Sequence, residues 1–250
     1  MEIFIYGIVF LYGIILGSFL NVCIYRIPAG ESIVKPRSHC MNCGYVLQWY
    51  DLVPLFSYIF LGGKCRKCRT KISMQYPLVE FLNGVLYLIV FFVNGISLES
   101  AVYCLAVSAL FALSVVDFRT YEIPFCFNVF LFVLGAVHLV LDYENWLSYV
   151  IGFFAVSVFL LLLNLFTGGR AMGGGDVKLM AAAGFLIGWK LIVLAFFLGC
   201  ILGSILHVIR MKVQKEGHQL AFGPYLSMGI FICMLFGNQM IDFYFRVCLG

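Results

Sequence analysis

Apolar positions along this chain come in long blocks rather than in an alternating or three-in-seven pattern. The blocks fall near residues 3–25, 78–93, 99–117, 123–141, 147–166, 178–188, 190–209 and 220–241. Most approach the ~20 residues that a helix needs to cross a hydrocarbon core. Strands of an outer-membrane barrel would alternate apolar and polar over roughly 10 residues, and these blocks do not. The pattern predicts an all-α polytopic membrane protein with about eight transmembrane helices. The sixth block, 178–188, is too short for a perpendicular crossing and is expected to be thin, bent or partly re-entrant.

Composition agrees: 63% of residues are hydrophobic and 11% charged, with a mean hydropathy of +1.03. A soluble domain carries about 25% charged residues, so water is not the main solvent here. The net charge of +4 says little about nucleic acid, and no nucleic-acid partner is expected. Its distribution says more. The first block lacks a basic start and meets its first positive charge at Arg26, after the apolar run, which predicts a retained span rather than a cleaved signal. With both termini outside, the residues placed inside include Arg26, Lys35, Arg37, Arg119, Arg170, Lys178 and Lys215. In all, 14 of the 16 basic residues then lie inside, leaving Lys190 and Arg246, as the positive-inside rule requires. One stretch, 27–76, is long and polar enough to form a small cytoplasmic domain. The expected division is an N-terminal region, 1–94, that includes this loop, and a membrane domain, 95–250.

The loop holds "CMNC" (40–43) and "CRKC" (65–68), two C-x-x-C knuckles with 21 residues between them. Each knuckle can turn two thiolates toward one ion, so Cys40, Cys43, Cys65 and Cys68 make the four-sulfur set that structural zinc prefers. Disulfides are the competing reading, and a reducing cytoplasm disfavours them. A loop of this size builds little core, so a metal staple makes physical sense. His39, beside Cys40, is an alternative ligand. The other cysteines, and His138 and His207, read as helix-packing residues.

Three carboxylates sit at or inside the ends of apolar blocks: Glu80, Asp117 and Asp176. Burying one there costs a few kcal/mol, about 2–4, unless it has a use or a partner; Lys178 and Arg119 are the partners at hand. Asp117 ends the third block and Asp176 begins the sixth, so the topology puts both at one membrane depth. Two carboxylates brought together share a proton. The ionised one can then take a proton from water while the other polarises a peptide carbonyl. Gly173, Gly174 and Gly175 precede Asp176; without side chains they leave a path for a substrate backbone, which can pair there by strand addition. Lys178, Glu80 and Glu122 are further candidate substrate contacts, the two glutamates as matches for substrate charge.

With these residues in view, the chain resembles the type IV prepilin leader peptidases. The resemblance rests on "GSFLNVCIYRIP" (17–28), the paired knuckles, "QYPLVEFLNG" (75–84), "DFRTYEIP" (117–124), "MGGGDVKL" (172–179) and "FGPYL" (222–226), in that order. It implies a G-x-G-D membrane aspartyl endopeptidase of the bacterial inner membrane whose catalytic pair is Asp117 and Asp176. The implied substrates are prepilins or pseudopilins, cut after the glycine of a short basic leader on the cytoplasmic side. Many members also methylate the new amino terminus from S-adenosylmethionine, an activity associated with the cysteine loop. "DFRTYEIPF" lacks the aspartate that often follows Ile-Pro, a departure that touches no catalytic position.

Two other classes compete. A proton-coupled transporter would use buried carboxylates near midplane and show internal repeats, and none is evident. A non-catalytic scaffold of a pilus or secretion machine would tolerate loss of Asp117. A zinc protease would want H-E-x-x-H, which does not occur in the sequence. "GSFLN" is expected to pack the first span tightly, with Asn21 bonding across helices. "FGPYL" is expected to shape the start of the last span, and the lipid bilayer is the expected surrounding.

Overall fold

The computed structural model describes residues 2–168, 172–214 and 221–249. Arg170 and Lys215, counted above among the inside charges, and the side chain of His207 lie outside what is described. The chain divides into two compact units, Met1–Ile96 and Ser97–Gly250.

In the first unit, α1 (Glu2–Arg26) packs along α3 (Gln75–Asn94), and between them lie a single 3-10 turn, Trp49–Asp51, and the short helix α2 (Phe56–Phe60). Gly13 and Gly17 make the α1–α3 contact possible. A Cβ on Gly13 would stand 2.7 Å from the Gly84 Cα, and one on Gly17 would stand 2.7 Å from the Glu80 Cα. Small residues four apart let helix backbones touch where lipid supplies no hydrophobic drive. Side-chain amides then bond across the seam: Asn83 donates to the Gly13 carbonyl at 2.7 Å, and Asn21 to that of Tyr76 at 3.1 Å.

The second unit contains α4 (Leu98–Thr120), α5 (Phe125–Leu141), α6 (Trp146–Ala155), α7 (Ser157–Phe166), α8 (Gly174–Ile187), α9 (Trp189–Gln214) and α10 (Gly223–Leu249). Ser97 caps α4, its hydroxyl accepting the Ser100 amide at 3.0 Å. Among the described residues of the two units, six stretches are long and apolar enough to cross a membrane, and α5 is a shorter apolar helix. The fifth apolar block is one such stretch, broken into α6 and α7 at Val156, where the Ser157 hydroxyl bonds back to the Phe153 carbonyl. The sixth block is the 14-residue α8, about 21 Å long at 1.5 Å per residue against the ~30 Å of a hydrocarbon core. It tolerates this shortness because protein surrounds it: α5, α6, α7, α9 and α10 all pack on it, and Leu179, Met180, Ala183 and Leu186 are fully buried. Near the start of α4, His138 is buried between the rings of Tyr103 and Tyr149, with Nε2 3.2 Å from Glu99 Oε1.

Candidate active site

Asp117 lies in the last turn of α4, which ends where Tyr121 turns left-handed (φ 56°) and its amide bonds the Asp117 carbonyl at 2.9 Å. The side chain is buried, and its Oδ2 accepts the Gly223 amide at 2.9 Å. That amide opens α10 and has no partner within the helix, Pro224 after it carries no N–H, and the Tyr225 and Leu226 amides bond the Phe222 carbonyl, so the carboxylate takes the one donor that the helix N-terminus offers. Glycine leaves this approach undisturbed, whereas a Cβ on residue 223 would stand 2.7 Å from Asp117 Oδ2 and force a shift.

Asp176 occupies the first turn of α8, buried, with its amide bonded to the Gly173 carbonyl at 3.2 Å. The preceding segment is tied down by Asn164, whose amide donates to the Met172 carbonyl at 2.6 Å. Ile123, from the α4–α5 connection, lies beside both Gly175 and Gly223, the glycines next to the two carboxylates. It packs against Gly175, where a Cβ would meet its own Cβ at 2.9 Å, and its Cδ1 would lie 3.2 Å from a Cβ on Gly223. Asp117 and Asp176 stand close enough for their charges to act on each other. Three helix ends therefore converge: the C-terminus of α4 and the N-termini of α8 and α10.

The glycine run differs from the expected extended strand. Only Gly173 is extended (φ −72°, ψ 142°), while Gly174 and Gly175 already belong to α8. Their tasks separate. Gly174 faces open space, Gly175 is required for contact with Ile123, and a Cβ on Gly173 would lie 3.3 Å from Asp176 Oδ2. Lys178 is exposed, its ammonium 5.2 Å above the Phe125 ring, and Glu122 is exposed in the α4–α5 connection. Glu80 belongs to the first unit, buried on α3 and accepting the Leu55 amide at 2.8 Å. Asn164 was not singled out from sequence. Gly223 and Ile123 fell within "FGPYL" and "DFRTYEIP", but neither was given a role beside the carboxylates.

In the loop, the four thiols form one cluster with all sulfurs within 4.8 Å of one another. Cys40 and Cys68 are 3.7 Å apart, and Cys43 and Cys65 4.0 Å. Tetrahedral Zn–S bonds of ~2.3 Å place sulfurs about 3.8 Å apart, so the donor set and its spacing fit a metal ion. The two knuckles are built alike. The Cys40 amide bonds Tyr45 O and the Cys65 amide bonds Thr70 O, both at 2.9 Å, and Gly44 and Arg69 take the same left-handed turn. Asn42 joins them, donating to the Thr70 hydroxyl at 2.9 Å. His39 stays out of the cluster, its Nδ1 3.2 Å from the Arg37 carbonyl. Hydrogen bonds from Thr70 and Asn42 hold the Cys68 thiol down at about 5. The Tyr45 amide acts to lower Cys43, but burial and the neighbouring thiols outweigh it and push it up to about 11. Four sulfurs this close resist ionising together, a conflict that a bound dication removes. A buried Asp51 steadies the cluster from outside, bonded to Arg66 Nε at 2.7 Å, the Gln48 amide at 3.1 Å and the Tyr45 hydroxyl at 3.2 Å.

Comparison with known proteins covers both units. Residues 11–94 match the bacterial peptidase A24 N-terminal domain, and residues 104–208 match the type IV leader peptidase family. The prepilin leader peptidase/N-methyltransferase of Bacillus subtilis (strain 168) is 34% identical over 248 residues, covering 98% of this chain and 99% of that protein. Proteins of the same description from Stutzerimonas stutzeri and Pseudomonas aeruginosa are each 30% identical, over 94% of this chain and 91% and 92% of their own lengths. No solved structure matches the chain.

Proposed function

The chain belongs to the type IV leader peptidase family, and from that premise we propose that it is a membrane aspartyl endopeptidase acting on prepilins or pseudopilins. Asp117 and Asp176 are its catalytic pair. The observation that carries this reading is the convergence of two buried carboxylates, one fixed by the Gly223 amide, beside an open Gly174. One carboxylate takes a proton from a water molecule, whose oxygen attacks the scissile carbonyl. The other, protonated, gives its proton to that carbonyl, and the amine leaves after a second proton transfer. Gly174 leaves room for the substrate backbone to approach. Lys178 and Glu122 flank this entrance, and Glu80 serves the loop of its own unit. Cleavage follows the glycine of a short basic leader, on the cytoplasmic face of the bacterial inner membrane where the basic loops lie.

Cys40, Cys43, Cys65 and Cys68 hold one structural zinc ion, which staples the loop. The relatives' description includes N-methyltransferase, and for this chain the reading is N-methylation of the new amino terminus, with S-adenosylmethionine as donor. The strand pairing in the loop amounts to two isolated β-bridges, too little sheet to build a Rossmann-type seat for that donor. Mass spectrometry of a pilin-like substrate incubated with the purified protein and S-adenosylmethionine tests both activities. Shortening at the leader glycine and gain of one methyl group are expected. An intact substrate contradicts the peptidase reading, and a cut but unmethylated product contradicts the transferase.

A further inference from the structure

We infer that residues 49–60 of the cysteine loop, "WYDLVPLFSYIF", are an interfacial membrane anchor, seated among lipid headgroups and upper acyl chains. Trp49 is 75% exposed, Phe56 52%, Ile59 70% and Phe60 85%. Tyr50, Val53, Phe56, Phe60 and Leu61, joined by the polar Ser57 and Arg66, line one open groove of about 280 Å³. A contiguous apolar surface of this kind on a small domain marks an interaction site.

Its depth identifies the occupant. The Leu55 amide, in the middle of the segment, bonds the Glu80 carboxylate at 2.8 Å. Tyr58 bonds Met74 Sδ at 2.9 Å and the Ile72 carbonyl at 3.3 Å. Glu80 stands five residues into α3, about 7.5 Å along its axis. The 20 residues of α3 span about 30 Å, the hydrocarbon thickness itself, so α3 has no slack to lift Glu80 into bulk water. Leu55 keeps a positive φ (61°, with ψ −52°), a costly state for a bulky residue, and its amide is the one Glu80 holds. The segment is thereby pinned at the membrane surface. Trp, Tyr and Phe are the residues that partition to this level. Exposed Lys64, Lys67, Arg69 and Lys71 supply the positive charge that anionic headgroups attract. An aqueous protein partner has no comparable reason to meet the chain at this depth.

The test uses the full chain in phosphatidylethanolamine/phosphatidylglycerol proteoliposomes, with Phe60→Trp as sole tryptophan (Trp49, Trp146 and Trp189 each →Phe). Lipids carrying a nitroxide high on the acyl chain should quench its emission. Acrylamide in the water should quench it about threefold less than in the unfolded protein, as for an interfacial side chain. A second reporter, native Trp49 alone (Trp146→Phe, Trp189→Phe), keeps the result independent of the change at Phe60. Free access to acrylamide with no nitroxide effect overturns the anchor. Protection from both quenchers also overturns it, because protein and not lipid then covers the segment.

Discussion

The thiol cluster and the carboxylate pair solve the problem of bringing reactive groups together in opposite ways. The thiols are gathered locally: two short knuckles of like design, each closed by its own backbone bonds, meet within one 50-residue loop. The carboxylates are gathered at long range. Asp117, Asp176 and the Gly223 amide come from three helices and rely on the packing of α4, α8 and α10 to meet. A local site fails when a ligand is lost, whereas an assembled site also fails when a helix end shifts by an ångström.

The comparison breaks most sharply at the carboxylates. Asp117→Asn or Asp176→Asn keeps shape and most hydrogen bonding but removes an acid–base partner, a loss of at least about 10³-fold in kcat/KM. Zinc content, read by elemental analysis of the same sample, should stay near one ion per chain. Gly223→Ala comes next. Its Cβ would enter at 2.7 Å from Asp117 Oδ2, so the carboxylate or the start of α10 must move. A fall of about 10- to 100-fold in kcat is expected from the lost charge-assisted bond. Gly174→Ala meets no neighbour and should leave thermal stability unchanged, so any fall in its kcat/KM measures crowding of the substrate.

The loop should answer differently. A Cys43→Ser/Cys68→Ser double variant loses the metal and loosens the loop, and methylation should fall well below cleavage, which drops by less than about threefold if the two sites are energetically separate. Acidification should release the metal even from the native loop, because protons compete for the thiolates. Asp51→Asn is the mildest change. Burial raises the Asp51 carboxyl, but the bonds from Arg66, the Gln48 amide and Tyr45 outweigh it and hold it below the usual carboxylate range. Its contribution is therefore complete above the unfolded value of about pH 4 and fades as pH falls through the lower folded value. The variant should hold zinc about threefold less tightly at pH 7, a difference that narrows on acidification and is measurable by chelator competition.

The same contrast explains what sequence could reveal. The knuckles were legible because ligand chemistry repeats at short spacing, and the apolar blocks because a bilayer tolerates little else. Candidacy of Asp117 and Asp176 was legible from their cost in an apolar chain. What held them was not. The Gly223 amide lies 106 residues from Asp117, and no local pattern encodes such a bond. The glycine run read as a strand-like path because glycine permits it. Helix packing instead drew Gly174 and Gly175 into α8, with Gly175 against Ile123. The break at Val156 was equally hidden, since a Ser157 bonded back to the Phe153 carbonyl of the preceding helix leaves the apolar pattern intact.

The central claim is that the two carboxylates work as one acid–base couple. The most direct measurement is the pH dependence of kcat/KM for leader cleavage by the full-length protein in lipid. The account predicts a bell-shaped profile, falling at low pH where both are protonated and at high pH where both are ionised. A rate that stays on a plateau at high pH, in protein that remains folded, would contradict it.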